Sequence, residues 1–151
     1  MDNNRVTKTV QKFQAGSSCA QAVLSSYLPL LGISEALAHK MGAGLGGGIG
    51  RKQYLCGALN AGAIVLSTKL GNESNDQPDQ KDYTSGQVRQ FVENFEQKFG
   101  SAQCRDLLNV DINTPEGKAS ATDSDVFRKV CDTCVKHVAQ ELEEALKPKF
   151  T

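Results

Sequence analysis

Apolar residues recur every three or four positions along most of this chain of 151 residues. Cys19, Val23 and Tyr27 are spaced by four, and five apolar residues within the stretch 88–99 share one face of a helix. This period is typical of amphipathic α-helices, and no stretch alternates with the period of two that a half-buried strand requires. We therefore predict an all-α fold, a single-domain bundle of about six helices that spans residues 1–151.

Capping and breaking residues set the predicted helix ends. Ser17 or Ser18 can cap the second helix and Ser34 the third, because a serine hydroxyl accepts a hydrogen bond from a free N–H of the first turn. Gly71 and Gly100 are suited to end the fourth and fifth helices. These residues divide the first two-thirds of the chain into helices of ordinary length.

Two polar stretches, 71–82 and 109–123, are rich in residues that favour turns. We expect both to be surface loops. Between them, Ser101 can cap a short helix that contains Cys104. We expect the longest helix to run from about residue 124 to 147, where the following proline ends it.

Six glycines lie within residues 42–50, GAGLGGGIG. Gly42, Gly44 and Gly47 match the spacing of a dinucleotide-binding loop, but that loop follows a β-strand within a βαβ unit. The residues before this run, SEALAHKM, favour a helix, so we expect no nucleotide. The run is then either a flexible joint or a turn in which bare backbone is needed for close approach.

Charge and apolar content exclude several classes of partner. Lys and Arg number 17 together, as do Asp and Glu, so the formal net charge is zero and the field that attracts nucleic acids or acidic membranes is missing. The longest apolar-leaning stretch, 55–66, is too short to span a bilayer. The first thirteen residues lack the apolar core of a signal peptide. We expect no nucleic-acid or membrane partner and a cytoplasmic location.

The five cysteines are the residues best suited to chemistry. In a reducing cytosol an odd number of cysteines favours ligands, redox groups or core residues over structural disulfides. Cys19, Cys56 and Cys104 lie near predicted helix starts, where free N–H groups and the helix dipole should lower a thiol pKa. Cys131 and Cys134 form a C-x-x-C pair about two turns into a helix, unlike a thioredoxin-type pair. No histidine follows the pair, so covalent haem is not expected.

Four segments, GSSCAQAVL, GGGIGRKQYLCGAL, GSAQCRDLL and CVKHVAQEL, resemble in this order the C-GCAxxG-C-C family of redox-active proteins. The resemblance extends from about Phe13 to Leu146. It implies an all-helical fold and a redox role through an iron–sulfur cluster. A related domain occurs in split-Soret cytochromes, which also carry haem, but this chain lacks the attachment motif and we expect it to hold none.

The resemblance assigns the metal ligands by position. The family's cysteines correspond to four residues of this chain: Cys19, Cys56, Cys104 and Cys134. Cys131 is then an extra thiol that could substitute for Cys134. The chain departs from the family pattern at one place, because the glycine expected five positions after Cys56 is Ala61, with Gly62 next to it.

Three further residues are predicted to contribute to the cofactor site. We interpret the glycine run as the turn that delivers Cys56 at a helix start, with the backbone N–H groups of Gly47 and Gly48 facing a thiolate or the sulfide of a cluster. Arg105, next to Cys104, is a candidate to contact a thiolate or the cluster.

Two other roles remain open at the level of sequence. The same cysteines could serve a metal-free thiol–disulfide redox protein, or they could be structural, by packing or by binding zinc, in a non-enzymatic helical module. Zinc sites usually draw ligands from C-x₂₋₄-C pairs, whereas these cysteines are scattered, which favours a cluster. The sequence does not specify the electron donor or acceptor. A homodimer is compatible with a bundle of this size, although no residue pattern marks an interface.

Overall fold

The structure is a computed structural model that describes residues 3–148. The described residues contain no β-strand and one isolated β-bridge, between Leu55 and Gln103. No helix among them is long and apolar enough to cross a membrane. The eight α-helices are α1 Asn3–Gln14, α2 Cys19–Tyr27, α3 Glu35–Met41, α4 Gly57–Leu70, α5 Pro78–Phe99, α6 Cys104–Leu108, α7 Pro115–Asp123 and α8 Asp132–Ala145. The all-α bundle is confirmed, and the predicted number of about six helices is too low.

Helix α7 accounts for part of the difference, because it lies in the stretch 109–123 that was predicted to be a loop. Thr114 caps it, since its Oγ1 accepts a hydrogen bond from the N–H of Gly117 at 2.9 Å. Pro115 occupies the first helical turn, where no N–H is needed for an intrahelical hydrogen bond and the fixed φ of proline suits the helix. Only Gly117 and Ala121 of this helix are buried, so it has no apolar stripe for a periodicity search to find.

Helix α5 begins earlier than predicted, inside the expected loop 71–82. Pro78 stands at its first turn, which again suits proline, and the polar residues that follow are exposed on the helix. Gly100 ends the helix as predicted, with a φ of 86° that a side chain would disfavour. With 22 residues, α5 is the longest helix of the described chain.

The predicted helix from about residue 124 to 147 is confirmed from residue 126 to 145, but its first part is not α-helical. A π-helical turn, Phe127–Cys131, precedes α8. Such turns are rare and often occur at functional sites. The backbone stays helical from this turn into α8, since Cys131 and Asp132 both have αR dihedral angles.

Helix α4 occupies the centre of the bundle and packs against α2, α5 and α8. A Cβ atom at Gly62 would lie 2.5 Å from the ring of Phe91 and 3.0 Å from Val138. The missing side chain therefore lets α5 and α8 approach α4 closely. Ala61, which stands where the family pattern has glycine, is fully buried, and the glycine at the close approach is the next residue.

Ser18, rather than Ser17, fixes the start of α2. Its Oγ accepts from the N–H of Gln21 at 3.1 Å, and the Gln21 Oε1 accepts from the N–H of Ser18 at 3.0 Å. Because this capping box satisfies two helix N–H groups, we expect Ser18→Ala to lower the free energy of unfolding by about 1 kcal/mol in urea. Ser17→Ala is the matched control and should have a much smaller effect. An equal loss in both variants would contradict the capping role.

Candidate functional site

A cavity of about 980 Å³ opens where the N-terminal ends of α2, α4 and α6 face the π-helical turn and the start of α8. Thiols from these separate elements meet there, and each of them is free rather than in a disulfide. All five cysteines of the chain line this cavity: Cys19, Cys56, Cys104, Cys131 and Cys134. The fold thus gathers residues that are far apart in the sequence around one space.

The predicted helix-start positions of three cysteines are confirmed. Cys56 is the N-cap residue of α4, and Cys19 and Cys104 are the first residues of α2 and α6. Cys131 closes the π-helical turn, and Cys134 follows within the first turn of α8. Because the backbone before this pair is already helical, its amides are engaged and the C-x-x-C does not have the free helix start of a thioredoxin-type pair.

The glycine run forms a left-handed turn ahead of Cys56. The backbone φ is positive at five successive residues, 47–51, and two of them, Ile49 and Arg51, carry side chains. A left-handed conformation costs roughly 1–2 kcal/mol for each residue that has a Cβ. Hydrogen bonds from the N–H of Gln53 to the carbonyl of Gly47, at 2.8 Å, and from Tyr54 to Gly48, at 3.0 Å, close the turn. The run is therefore a defined turn, in which glycine avoids the conformational strain that other residues would have at a positive φ.

Gly47 and Gly48 lie on different sides of this turn. The N–H of Gly47 donates to the Cys19 sulfur, together with backbone groups of Ala20 and Ala58. Gly48 faces away from the cavity, where a Cβ would lie 2.5 Å from the backbone nitrogen of Tyr54. The structure therefore brings Gly47 to a thiol, whereas Gly48 allows the turn to close.

Arg105 does not line the cysteine cavity. It is exposed and borders a separate pocket of about 550 Å³, together with Lys52 and Tyr54. The cations at the cysteine cavity are instead Arg51 and Lys118. The position of Arg51 directly after the glycine run is a signal that the sequence offered for its place near Cys56. Lys118 had no such signal, because it lies on α7, a helix that the sequence did not predict.

The interaction between Cys56 and Cys134 has the largest influence on the pKa of each of these two thiols. The S–H of Cys134 donates to the Cys56 sulfur, and this hydrogen bond is the main reason that the pKa of Cys56 lies below its ordinary value. Backbone groups of Leu59 and Ala58 act in the same direction, whereas burial opposes it. The same hydrogen bond, followed by burial, raises the pKa of Cys134.

The other thiols are held in their neutral form. Burial raises the pKa of Cys19 to about 11 and that of Cys104 to about 12, and a negative charge on Cys56 adds to both effects. Burial also raises the pKa of Cys131. The expectation that a helix start lowers the pKa is therefore wrong for Cys19 and Cys104, because desolvation and mutual repulsion outweigh the backbone amides. Several thiolates can coexist here only beside a cationic group.

Alkaline pH is expected to destabilise the reduced, metal-free protein. Cys19 titrates at about 11 and Cys104 at about 12 when folded, against 9.0 for an unperturbed thiol. The unfolded chain releases these protons first, so stability that is complete below pH 9.0 is lost as the pH rises through 11. The lowered pKa of Cys56 has the opposite effect on stability, but its contribution levels off above pH 9.0, once the thiol of the unfolded chain is ionised as well. Urea unfolding above pH 9.0 should show the loss, and Cys104→Ala should reduce it; a free energy independent of pH would contradict the assignment.

Among residues 3–148, no group of three or more Cys, His, Asp or Glu side chains converges closely enough to hold one metal ion. Structural zinc needs four donors at about 2.3 Å from a single ion. The cysteines of an iron–sulfur cluster bind different irons and lie further apart. Thiolates are ligands in both kinds of site, so the type of donor in this cavity suits either one.

Fold and cavity together define an all-helical protein with a cysteine-lined cavity. Residues 17–145 match the family model described as "Putative redox-active protein (C_GCAxxG_C_C)", so the chain belongs to this family. The matched region contains all five cysteines of the cavity. Neither a curated protein nor a solved structure matches the chain.

Proposed function

We propose that this redox-active protein holds an iron–sulfur cluster in the cysteine cavity and acts in electron transfer or redox sensing. The proposed ligands are the four cysteines that match the family motif: Cys19, Cys56, Cys104 and Cys134. The observation that carries the proposal is the convergence of free thiols from separate helices on one cavity of about 980 Å³. A dithiol switch would need only two of these cysteines. Cysteines that only pack in a core would leave no cavity between them.

The electrostatics of the thiols support a cationic occupant. Cys56 favours the thiolate, whereas Cys19 and Cys104 resist ionisation partly because they repel it. Positively charged iron would remove this repulsion and allow all of them to bind as thiolates. When bound, a cluster would supply a carrier that gains or loses one electron.

The protein would set the properties of that carrier through the groups around the sulfurs. The N–H groups that reach Cys19, including that of Gly47, would stabilise electron-rich sulfur and so favour the reduced state. Burial of Cys56 and Cys134 limits the access of water to this wall of the cavity. Cys131 lines the same space and is the natural reserve ligand if Cys134 is lost.

Anaerobic purification tests the proposal. Protein expressed with added iron and purified without air should be coloured and should contain iron and acid-labile sulfide in equal amounts. Colourless protein with no bound iron would refute the cluster. Stoichiometric zinc without sulfide would instead assign the cavity to a structural metal.

A thiol–disulfide function is the second candidate, and the hydrogen bond between Cys134 and Cys56 favours it. A thiol of lowered pKa next to a protonated partner is the arrangement of a nucleophile and a resolving cysteine. In this case, oxidised glutathione would convert the metal-free protein to a reversible Cys56–Cys134 disulfide. Peptide mapping after titration with a glutathione buffer would identify that bond, and its absence at every ratio would exclude this candidate.

A further inference from the structure

We propose that the cysteine cavity also binds a small organic anion, with an apolar body inside the cavity and its charged group at the mouth, against Arg51 and Lys118. The proposal goes beyond the cluster and concerns the space that a cluster would leave free. It rests on the volume, the charge and the apolar lining of the cavity.

The cavity is larger than the thiols need. Its volume of about 980 Å³ lies near the upper end of the range for small-molecule sites, roughly 300–1,000 Å³. An iron–sulfur cluster is compact and would be held by the cysteines, which leaves the parts of the cavity that other residues line. The remainder of the cavity extends to the turn that precedes α7 and to the π-helical turn.

The charged side chains at the cavity are positive. Among residues 3–148, Arg51 and Lys118 are the charged side chains that line it, and no Asp or Glu of this range is among the lining residues. Neither cation forms an ion pair with a carboxylate in the part of the chain that the structure describes. Both side chains are exposed at the mouth, where unpaired positive charge attracts and orients an anion.

Part of the cavity lining is apolar and only partly buried. Phe127 and Val130 of the π-helical turn, with Leu107 and Ile112, form this part, and each retains solvent exposure. Covering this surface would contribute binding free energy in proportion to the apolar area removed from water. A ligand that suits both this part and the mouth therefore has an apolar body and one anionic end.

The two cations are held by elements that are tied together. The Asn113 side chain donates from Nδ2 to the carbonyl of Arg51 at 2.7 Å, and Asn113 itself lies two residues before the first turn of α7. Gln53 adds a second tie, since its Nε2 donates to the carbonyl of Val110 at 2.7 Å and its Oε1 accepts from Ile112 at 3.0 Å. These bonds fix the backbone of the left-handed turn, which carries Arg51, relative to the segment that leads into α7, which carries Lys118.

Calorimetric titration with matched probes tests this proposal. The probes are 4-phenylbutyrate, phenyl phosphate and the neutral 4-phenylbutyramide, each added to protein purified without air and to protein freed of metal and reduced. We expect the two anions to bind at least about tenfold more tightly than the amide. The double variant Arg51→Gln/Lys118→Gln should abolish that preference. The control Lys81→Gln/Arg89→Gln removes the same charge from exposed positions on α5 and should retain it.

Each outcome of the titration decides the proposal. An anion preference that disappears in the double variant and persists in the control supports it, and the preferred probe tells a carboxylate site from a phosphate site. Equal binding of anions and amide, equal effects of the two double variants, or no binding of any probe would overturn it. Iron and sulfide measured on the same samples report on the cluster separately, so failure of one proposal is distinguishable from failure of the other.

Discussion

Replacement of Cys56 by serine is expected to abolish cluster binding while leaving the fold intact. Cys56 is the thiol with the lowered pKa, and it lies in contact with Cys134 and within electrostatic reach of Cys19 and Cys104. Serine lacks the thiolate that iron requires, but it is a favourable residue at the N-cap of α4. The variant should therefore show unchanged far-ultraviolet circular dichroism and no iron or sulfide above the level of protein without metal.

Cys131→Ser provides the matched control, because Cys131 lines the same cavity but is not part of the four-cysteine motif. This variant should retain most of its iron and sulfide. If Cys56→Ser keeps its full content of iron and sulfide, Cys56 is not a ligand of the cluster. Equal losses in the two variants would show that the ligands cannot be assigned by the motif.

The second large effect is expected from Gly57→Ala, which places a methyl group against the site. A Cβ at this position would lie 2.6 Å from the Cys19 sulfur, 2.9 Å from the carbonyl oxygen of Leu45 and 3.3 Å from the Cα of Gly46. Neither backbone atom can move without shifting the glycine turn, so the strain would displace Cys19. We expect a loss of about 2 kcal/mol in the free energy of unfolding and a marked fall in bound iron.

Gly86→Ala is the control for this substitution. Gly86 lies within α5, and a Cβ there would meet nothing within 4 Å. Because alanine favours the helix, this variant should be more stable than the parent by about 0.5–1 kcal/mol and should keep its iron. If Gly57→Ala instead behaves like Gly86→Ala, the close contact between Gly57 and Cys19 is not a feature of the protein in solution.

Local signals allowed much of the site to be predicted from the sequence. The Ser18 cap and the glycine run are short-range features, and they placed Cys19 and Cys56 at helix starts, as observed. Cys104 also begins a helix, but the predicted Ser101 cap is wrong, because the N-cap residue is Gln103. The same reasoning failed for the pKa values of Cys19 and Cys104. Burial and repulsion between thiols depend on tertiary packing, which a local pattern does not report.

The surroundings of the thiols were the least predictable part. Arg105 is adjacent to Cys104 in sequence, but successive side chains of a helix point about 100° apart, so a buried cysteine turns its neighbour to solvent. Lys118 reaches the cavity from α7, a helix with too few apolar residues to have a detectable period. The hydrogen bond between Cys134 and Cys56 joins residues that are far apart in the sequence, and no local pattern predicted it.

Native mass spectrometry of the protein, purified and sprayed without air, tests the central claim most directly. The cluster account predicts that the chain is heavier by iron and sulfide in equal numbers, and that alkylation after gentle unfolding releases this mass and labels all five cysteines. A chain of unmodified mass, a chain that has lost two hydrogens through a disulfide, or a chain heavier by a single zinc would contradict it.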